Sequence, residues 1–159
     1  MKGITPSLWF NNNAEEAIDF YKTVFDDVEV LSISRYGEAG PGPAGQVVTA
    51  EFRIAGQNFV AINAGPEFPF TEAISFVIHC ESQEEVDHYW EKLTDGGEES
   101  QCGWLKDRFG LSWQVVPTQL MEMLQDEDPA KAMRVTQAML KMHKIDIPTL
   151  EAARDQVPA

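Results

Sequence analysis

The sequence predicts an α+β protein made of two βαβββ modules and a C-terminal helical extension. Three observations carry this. A helix-like segment occurs twice, a strand pattern restarts after a proline-rich break, and residues 118–159 match nothing earlier in the chain. The repeat aligns Ala14–Asp26 with Gln83–Asp95 at a constant offset of 69. Glu15 meets Glu84, Glu16 meets Glu85, Ala17 meets Val86, Phe20 meets Tyr89, Tyr21 meets Trp90 and Val24 meets Leu93. Self-similarity at a fixed period marks a duplicated structural unit.

Taken in order, Ile4–Phe10 is the first strand. Alternation places Ile4, Pro6, Leu8 and Phe10 on one face and Thr5, Ser7 and Trp9 on the other. Asn11–Asn13 is a turn and cap cluster leading into a helix over Ala14–Phe25. Ala17, Ile18, Tyr21, Val24 and Phe25 recur at spacings of three and four and form its buried stripe. Val28–Tyr36 is a β-branched strand. Gln46–Ile54 and Gln57–Asn63 form a hairpin around Ala55-Gly56. Residues 1–63 are therefore the first module, and 64–72, with two prolines and a glycine, read as a linker. Residues 73–117 repeat the pattern: a strand Ala73–Cys80, a helix Ser82–Leu93, then strands Glu98–Lys106 and Leu111–Val116 around Asp107–Gly110. Ser82 is its N-cap and Glu85 stands at the capping-box position. The extension, 118–159, reads as helices at Thr118–Leu124, Ala130–His143 and Pro148–Arg154, with Asp128-Pro129 starting the second. Met133, Ala138 and Met142 lie near one face of that helix, with Val135 and Met139 beside it, and the methionines read as core packing.

Composition excludes several classes. The chain has 159 residues, enough for a core without staples. Its net charge is −14, and acidic residues outnumber basic ones in every segment: ten to four over 1–80, nine to three over 81–117 and seven to five over 118–159. Nucleic-acid binding thus has no electrostatic support. No segment approaches the ~18 apolar residues of a membrane helix. The N-terminus lacks a signal-peptide run, so a cytoplasmic location is expected. Two cysteines, Cys80 and Cys102, do not make a disulfide framework.

The short motifs are mostly structural. Gly40-Pro41-Gly42-Pro43-Ala44-Gly45 matches G-x-G-x-x-G. A β-type segment follows it, however, and two of its residues lack an N–H, so it cannot cradle phosphate like a nucleotide loop. His79, His88 and His143 show no short metal-ligand spacing. His79 alternates with Ser75 and Val77 on one strand face. Cys102 has no neighbouring cation to activate it. Trp9 alternates with Thr5 and Ser7, and an amphipathic indole beside hydroxyls fits the wall of a small-molecule pocket.

The paired modules, with A-E-E-A-x-x-F-Y in the first helix, resemble the vicinal oxygen chelate superfamily of glyoxalases, bleomycin-resistance proteins and extradiol dioxygenases. Segments 63–70 (N-A-G-P-E-F-P-F), 73–76 (A-I-S-F), 84–90 (E-E-V-D-H-Y-W) and 102–117 (C-G-W-L-K-D-R-F-G-L-S-W-Q-V-V-P) resemble its PhnB-like branch. That branch is often described as 3-demethylubiquinone-9 3-methyltransferase-like. The resemblance covers about residues 3–145. It implies a curved mixed sheet around a cleft, and a homodimer.

Metal-dependent members hold a divalent ion with four strand residues, typically His, Gln or Glu. The resemblance carries those positions to Thr5, Asn63, Ser75 and Gln114. All four are neutral, a poor donor set for a transition metal, so no metal and no cofactor is expected. No glycine loop for S-adenosylmethionine is present either. The leading expectation is a metal-free binder of a small organic ligand, neutral or cationic. Thr5, Ser7, Trp9 and Asn63 of the first module and Ser75, His79, Trp104 and Gln114 of the second would line its cleft. Two alternatives stay open: a metal-dependent lyase, isomerase or dioxygenase, and an interaction protein using residues 118–159.

Overall fold

In a computed structural model, which describes residues 1–156, the elements run β1 (Ser7–Phe10), α1 (Ala14–Val24), β2 (Val28–Arg35), β3 (Val47–Ile54) and β4 (Gln57–Asn63). They continue with β5 (Ser75–Cys80), α2 (Gln83–Thr94), β6 (Glu98–Glu99), β7 (Trp104–Lys106) and β8 (Ser112–Pro117). Three helices close the chain: α3 (Thr118–Leu124), α4 (Pro129–Met139) and α5 (Ile147–Asp155). The last three positions of the 118–159 extension lie outside the described residues. The predicted α+β class and both βαβββ modules are present. The chain divides into two compact units, Met1–Phe70 and Thr71 onward.

The first unit is a mixed four-stranded sheet ordered β1-β4-β3-β2, with β1 parallel to β4 and the other pairs antiparallel. Leu8 and Phe10, Ala50 and Phe52, and Phe59 and Ala61 are buried on the face that α1 covers with Ala17, Ile18, Tyr21 and Val24. Alternation along each strand makes this one continuous core. Asn63 ends β4 on the same face, 7% exposed. Its Oδ1 accepts from Ala14 N at 2.9 Å and its Nδ2 donates to Val47 O at 3.1 Å. The amide thereby satisfies one of the unpaired N–H groups at the start of α1. The β3–β4 turn is two residues, Ala55 and Gly56, both with positive φ (46° and 83°), as a tight hairpin requires. β1 is shorter than the expected Ile4–Phe10. Pro6 offers a carbonyl to Val60 N but has no N–H to continue the ladder.

The second unit repeats the order as β5-β8-β7-β6, again with a parallel first pair. Val86, Trp90 and Leu93 of α2 cover one face, against Leu105, Trp113 and Val115. Ser82 Oγ caps α2 by accepting from Glu85 N at 3.2 Å. Glu85 reaches back one residue further than a standard capping box, accepting from Glu81 N at 2.7 Å. The expected strand Glu98–Lys106 is broken into β6 and β7. Cys102 (φ 57°) and Gly103 (φ 84°) are left-handed and cannot stay in a strand, and their N–H groups donate to Met142 O and His143 O.

Within this unit the extension has its own core: Val116, Leu120, Met123, Val135, Ile145 and Leu150, with Ala138, Met139 and Met142 packed against it. Met133, expected inside, is 60% exposed. Val135 takes the buried place, because the stripe of α4 runs 135–138–139. Asp128 caps α4 and Pro129 begins it, as predicted. Among the described residues no helix is long and apolar enough to cross a membrane.

Candidate functional site

Each sheet has a second face that its helix leaves uncovered. In the second unit, register makes that open face explicit. Ser75, Ser112 and Lys106 stand in one row across β5, β8 and β7, and Val77, Gln114 and Trp104 in the next. His79 pairs with Val116 in the third. Gln114 Nε2 donates to Ser75 Oγ at 2.9 Å, tying two rows diagonally. The Lys106 ammonium pairs with Glu72. That hydrogen bond holds the lysine above, and the Glu72 carboxyl below, its ordinary range, so both stay charged at neutral pH. Four of the expected site residues, Ser75, His79, Trp104 and Gln114, thus share one surface; His79 is the exposed member.

The turn that delivers β8 is built around Asp107, 3% exposed. Its Oδ1 accepts from Phe109 N at 2.9 Å and Leu111 N at 3.1 Å, and its Oδ2 from Trp113 Nε1 at 3.0 Å. This fixes where β8 starts and so sets which side chains face outward. The other end of β7 is held by the extension. Besides the Cys102 and Gly103 bonds, His143 Nδ1 lies 2.9 Å from Ser100 O. Trp104 follows that clamped turn directly.

In the first unit, Ser7 and Trp9 lie on the open face beside Val60 and Ile62. Trp9 is half-buried; its Nε1 donates to Gly65 O at 3.0 Å, and Phe68 stands edge-on to it at 4.9 Å. Thr5 lies outside β1 and borders a hollow of about 70 Å³ with Leu31, Glu51 and Asn58. Asn63 does not join them, because it points to the helix side and both ends of its amide are engaged. Sequence reasoning had not included Ser112, Lys106 and Glu72. Ser112 was within its reach, since it sits two residues from Gln114 and alternation puts both on one face.

The metal that the superfamily resemblance implies does not fit these residues. Ser75 and Gln114 are hydrogen-bonded to each other, Asn63 faces α1, and none of the three brings a carboxylate or imidazole. Among the described residues no three His, Cys, Asp or Glu side chains form a metal-holding group.

Comparison with known proteins agrees with this architecture. A family model described as 3-demethylubiquinone-9 3-methyltransferase matches residues 2–116. A PhnB protein from Bacillus cereus, described as a putative 3-demethylubiquinone-9 3-methyltransferase, is 40% identical over 73% of this chain and 99% of its own, with a TM-score of 0.67. Protein PA1353 from Pseudomonas aeruginosa is 23% identical over 74% and 98%, with a TM-score of 0.60. The fosfomycin resistance protein FosX from Listeria monocytogenes shares the fold at 18% identity, over 79% and 99%, with a TM-score of 0.58. No curated protein matches the chain. Since the family model spans most of the chain and the Bacillus relative matches along almost its whole length, the chain belongs to the PhnB-like, 3-demethylubiquinone-9 3-methyltransferase family of the vicinal oxygen chelate superfamily.

Proposed function

We propose that this protein binds a small organic molecule on the open face of β5-β8-β7, without a divalent metal. The observation that carries the reading is the Val77–Gln114–Trp104 row, with the Gln114 amide held in place by Ser75. An oriented amide beside a half-buried indole combines directional polarity with apolar area, the usual make-up of a small-molecule site. Ser7 and Trp9 on the first sheet belong to the same kind of surface, and His79 would act as a polar group at its margin.

Methyl transfer, which the family description names, finds no support in the fold. S-adenosylmethionine sites of the doubly wound kind need parallel strands joined by helices and a glycine turn. Both sheets here are mixed, and hairpins connect most of their strands. The superfamily relationship also supports a homodimer, for which light scattering should give twice the chain mass; a monomer at working concentrations would count against it.

A thermal-shift screen of small polar and aromatic compounds tests the binding reading. Hits should stabilise the wild type and lose most of that shift in Trp104→Ala and Gln114→Ala. Equal shifts in all three proteins would remove this face from consideration.

A further inference from the structure

We infer that the hollow beside Ser112 is a subsite for a hydrogen-bond-donating organic cation, a primary amine or a guanidine. This rests on the reading of the β5-β8-β7 face as a ligand surface and specifies one end of the ligand. The hollow measures about 90 Å³ and is bordered by Glu72, Glu98, Glu99, Trp104, Lys106 and Ser112. That is room for about three water volumes, enough for a compact cationic head group.

Ser112 supplies the first argument. It is 0% exposed, and its Oγ has no hydrogen-bond partner, the case found among the described residues. A buried hydroxyl without a partner is unfavourable and calls for an explanation. The surroundings then decide what could serve it. The three glutamates are acceptors only when ionised, and so cannot donate to the hydroxyl. Lys106 is the one cation of the lining, and it is engaged with Glu72. Glu98 lies directly across from Lys106 in the β6–β7 register. Glu99 is held in place by Trp90, whose Nε1 donates to its Oε1 at 2.9 Å.

Glu99 stands opposite Leu105 with its carboxylate turned to Trp90 of α2, so Glu72 and Glu98 against the one ammonium leave the hollow negative and rich in acceptors. An anion would be repelled, and a neutral acceptor could take only the Ser112 O–H while facing the lone pairs of the carboxylates. An ammonium or guanidinium head group would donate to Ser112 Oγ and to the carboxylates. It would also lie beside the indole of Trp104, where a cation–π contact adds attraction.

The test is an amide-resolved NMR titration of the full chain with methylammonium chloride, at constant ionic strength. Tetramethylammonium, with the same charge and no N–H, is the control. Saturable shifts at Ser112, Trp104 and Lys106 are expected with methylammonium alone. Ser112→Ala should keep or raise the melting temperature, since it removes an unpartnered group, and should weaken methylammonium binding about tenfold. Should that variant fold poorly, the exposed Glu98→Gln substitution asks the same question and should also weaken binding. A linear response, or an equal one to both cations, would mean general attraction to an acidic surface and overturn the subsite. Unchanged affinity in the variant would overturn it too. An uncharged ligand that needs Trp104 and Gln114 but binds Ser112→Ala normally would overturn the subsite and leave the binding face standing.

Discussion

The two sheets share one strand order, yet they are fastened in different places. In the first unit the last residue of β4 is Asn63, opposite Phe10, and its amide joins β4 to α1 and β3. In the second unit the matching position, opposite Cys80, is Pro117. There the chain runs straight on into α3, and α2 relies on its own Ser82 cap. The hairpins differ in the complementary sense. The first needs only Ala55-Gly56, whereas the second is organised by the Asp107 carboxylate. The two units therefore share their backbone pairing and differ in their polar fasteners. In the second, the end of β8 launches the extension, which in turn clamps the turn before Trp104.

If that is right, the two fasteners should rank in a definite order. Asp107→Ala removes a buried carboxylate and strands three donors, including the Trp113 indole; a loss of about 3–5 kcal/mol is expected. Asn63→Ala strands one N–H and one carbonyl and should cost about 2–3 kcal/mol. Urea unfolding measures both. An Asn63→Ala protein as damaged as Asp107→Ala would break the contrast and make the first unit equally dependent on a single side chain.

Much of this was legible in the sequence. The repeated helix gave the two modules, because burying a stripe against a sheet forces the same apolar spacing in both copies. Alternation placed Trp9 away from Leu8 and Phe10, and Ser75 with His79. Asn63 was misread because a polar residue at a strand end looks the same whether it faces a ligand or a helix start. Only the parity of β4 relative to Phe59 and Ala61 separates the two. Ser112 and Lys106 each sit two residues from an expected site residue, Gln114 and Trp104, and were within reach of alternation; that they stand in one row with Ser75 depends on cross-strand register, which a sequence does not print. The break at Cys102 was hidden for another reason: a non-glycine residue with positive φ is held there by carbonyls some forty positions later (142 and 143).

A smaller effect probes the fastening found only in the second unit. Gln83 Nε2 donates to Asp87 Oδ1 and to Ile145 O, both at 3.0 Å, and its Oε1 accepts from Ile147 N at 2.7 Å. Gln83→Ala should cost about 1–2 kcal/mol and raise hydrogen exchange across 142–150 more than in the sheet. The Asp87 carboxyl is held below its ordinary range by hydrogen bonds first from Lys144 and then from Gln83. A depressed folded-state pKa adds stability above the ordinary carboxylate range, which is lost as pH falls through the lowered value. Acid should therefore loosen this docking, and Lys144→Ala should flatten that part of the pH profile. Uniform exchange across the second unit would show that the extension is not a separately fastened layer.

The smallest effect concerns the pair of equivalent positions Phe10 and Cys80, which are 1% and 0% exposed. If Cys80 fills the place of an aromatic ring, it should behave as a hydrophobe. Burial first, and the Glu85 charge second, push its thiol up to about 12. A raised folded-state value means that the stability it contributes is complete below the unfolded thiol's ordinary range and is lost as pH climbs towards 12. Near neutral pH the thiolate, the reactive form, is almost absent. Iodoacetamide at pH 8 should therefore label Cys102, which is half-buried on its turn, and spare Cys80 until the chain is unfolded. Native labelling of Cys80 would mean that the β5–β8 end opens readily, and that Pro117 and α3 hold the second sheet less firmly than Asn63 holds the first.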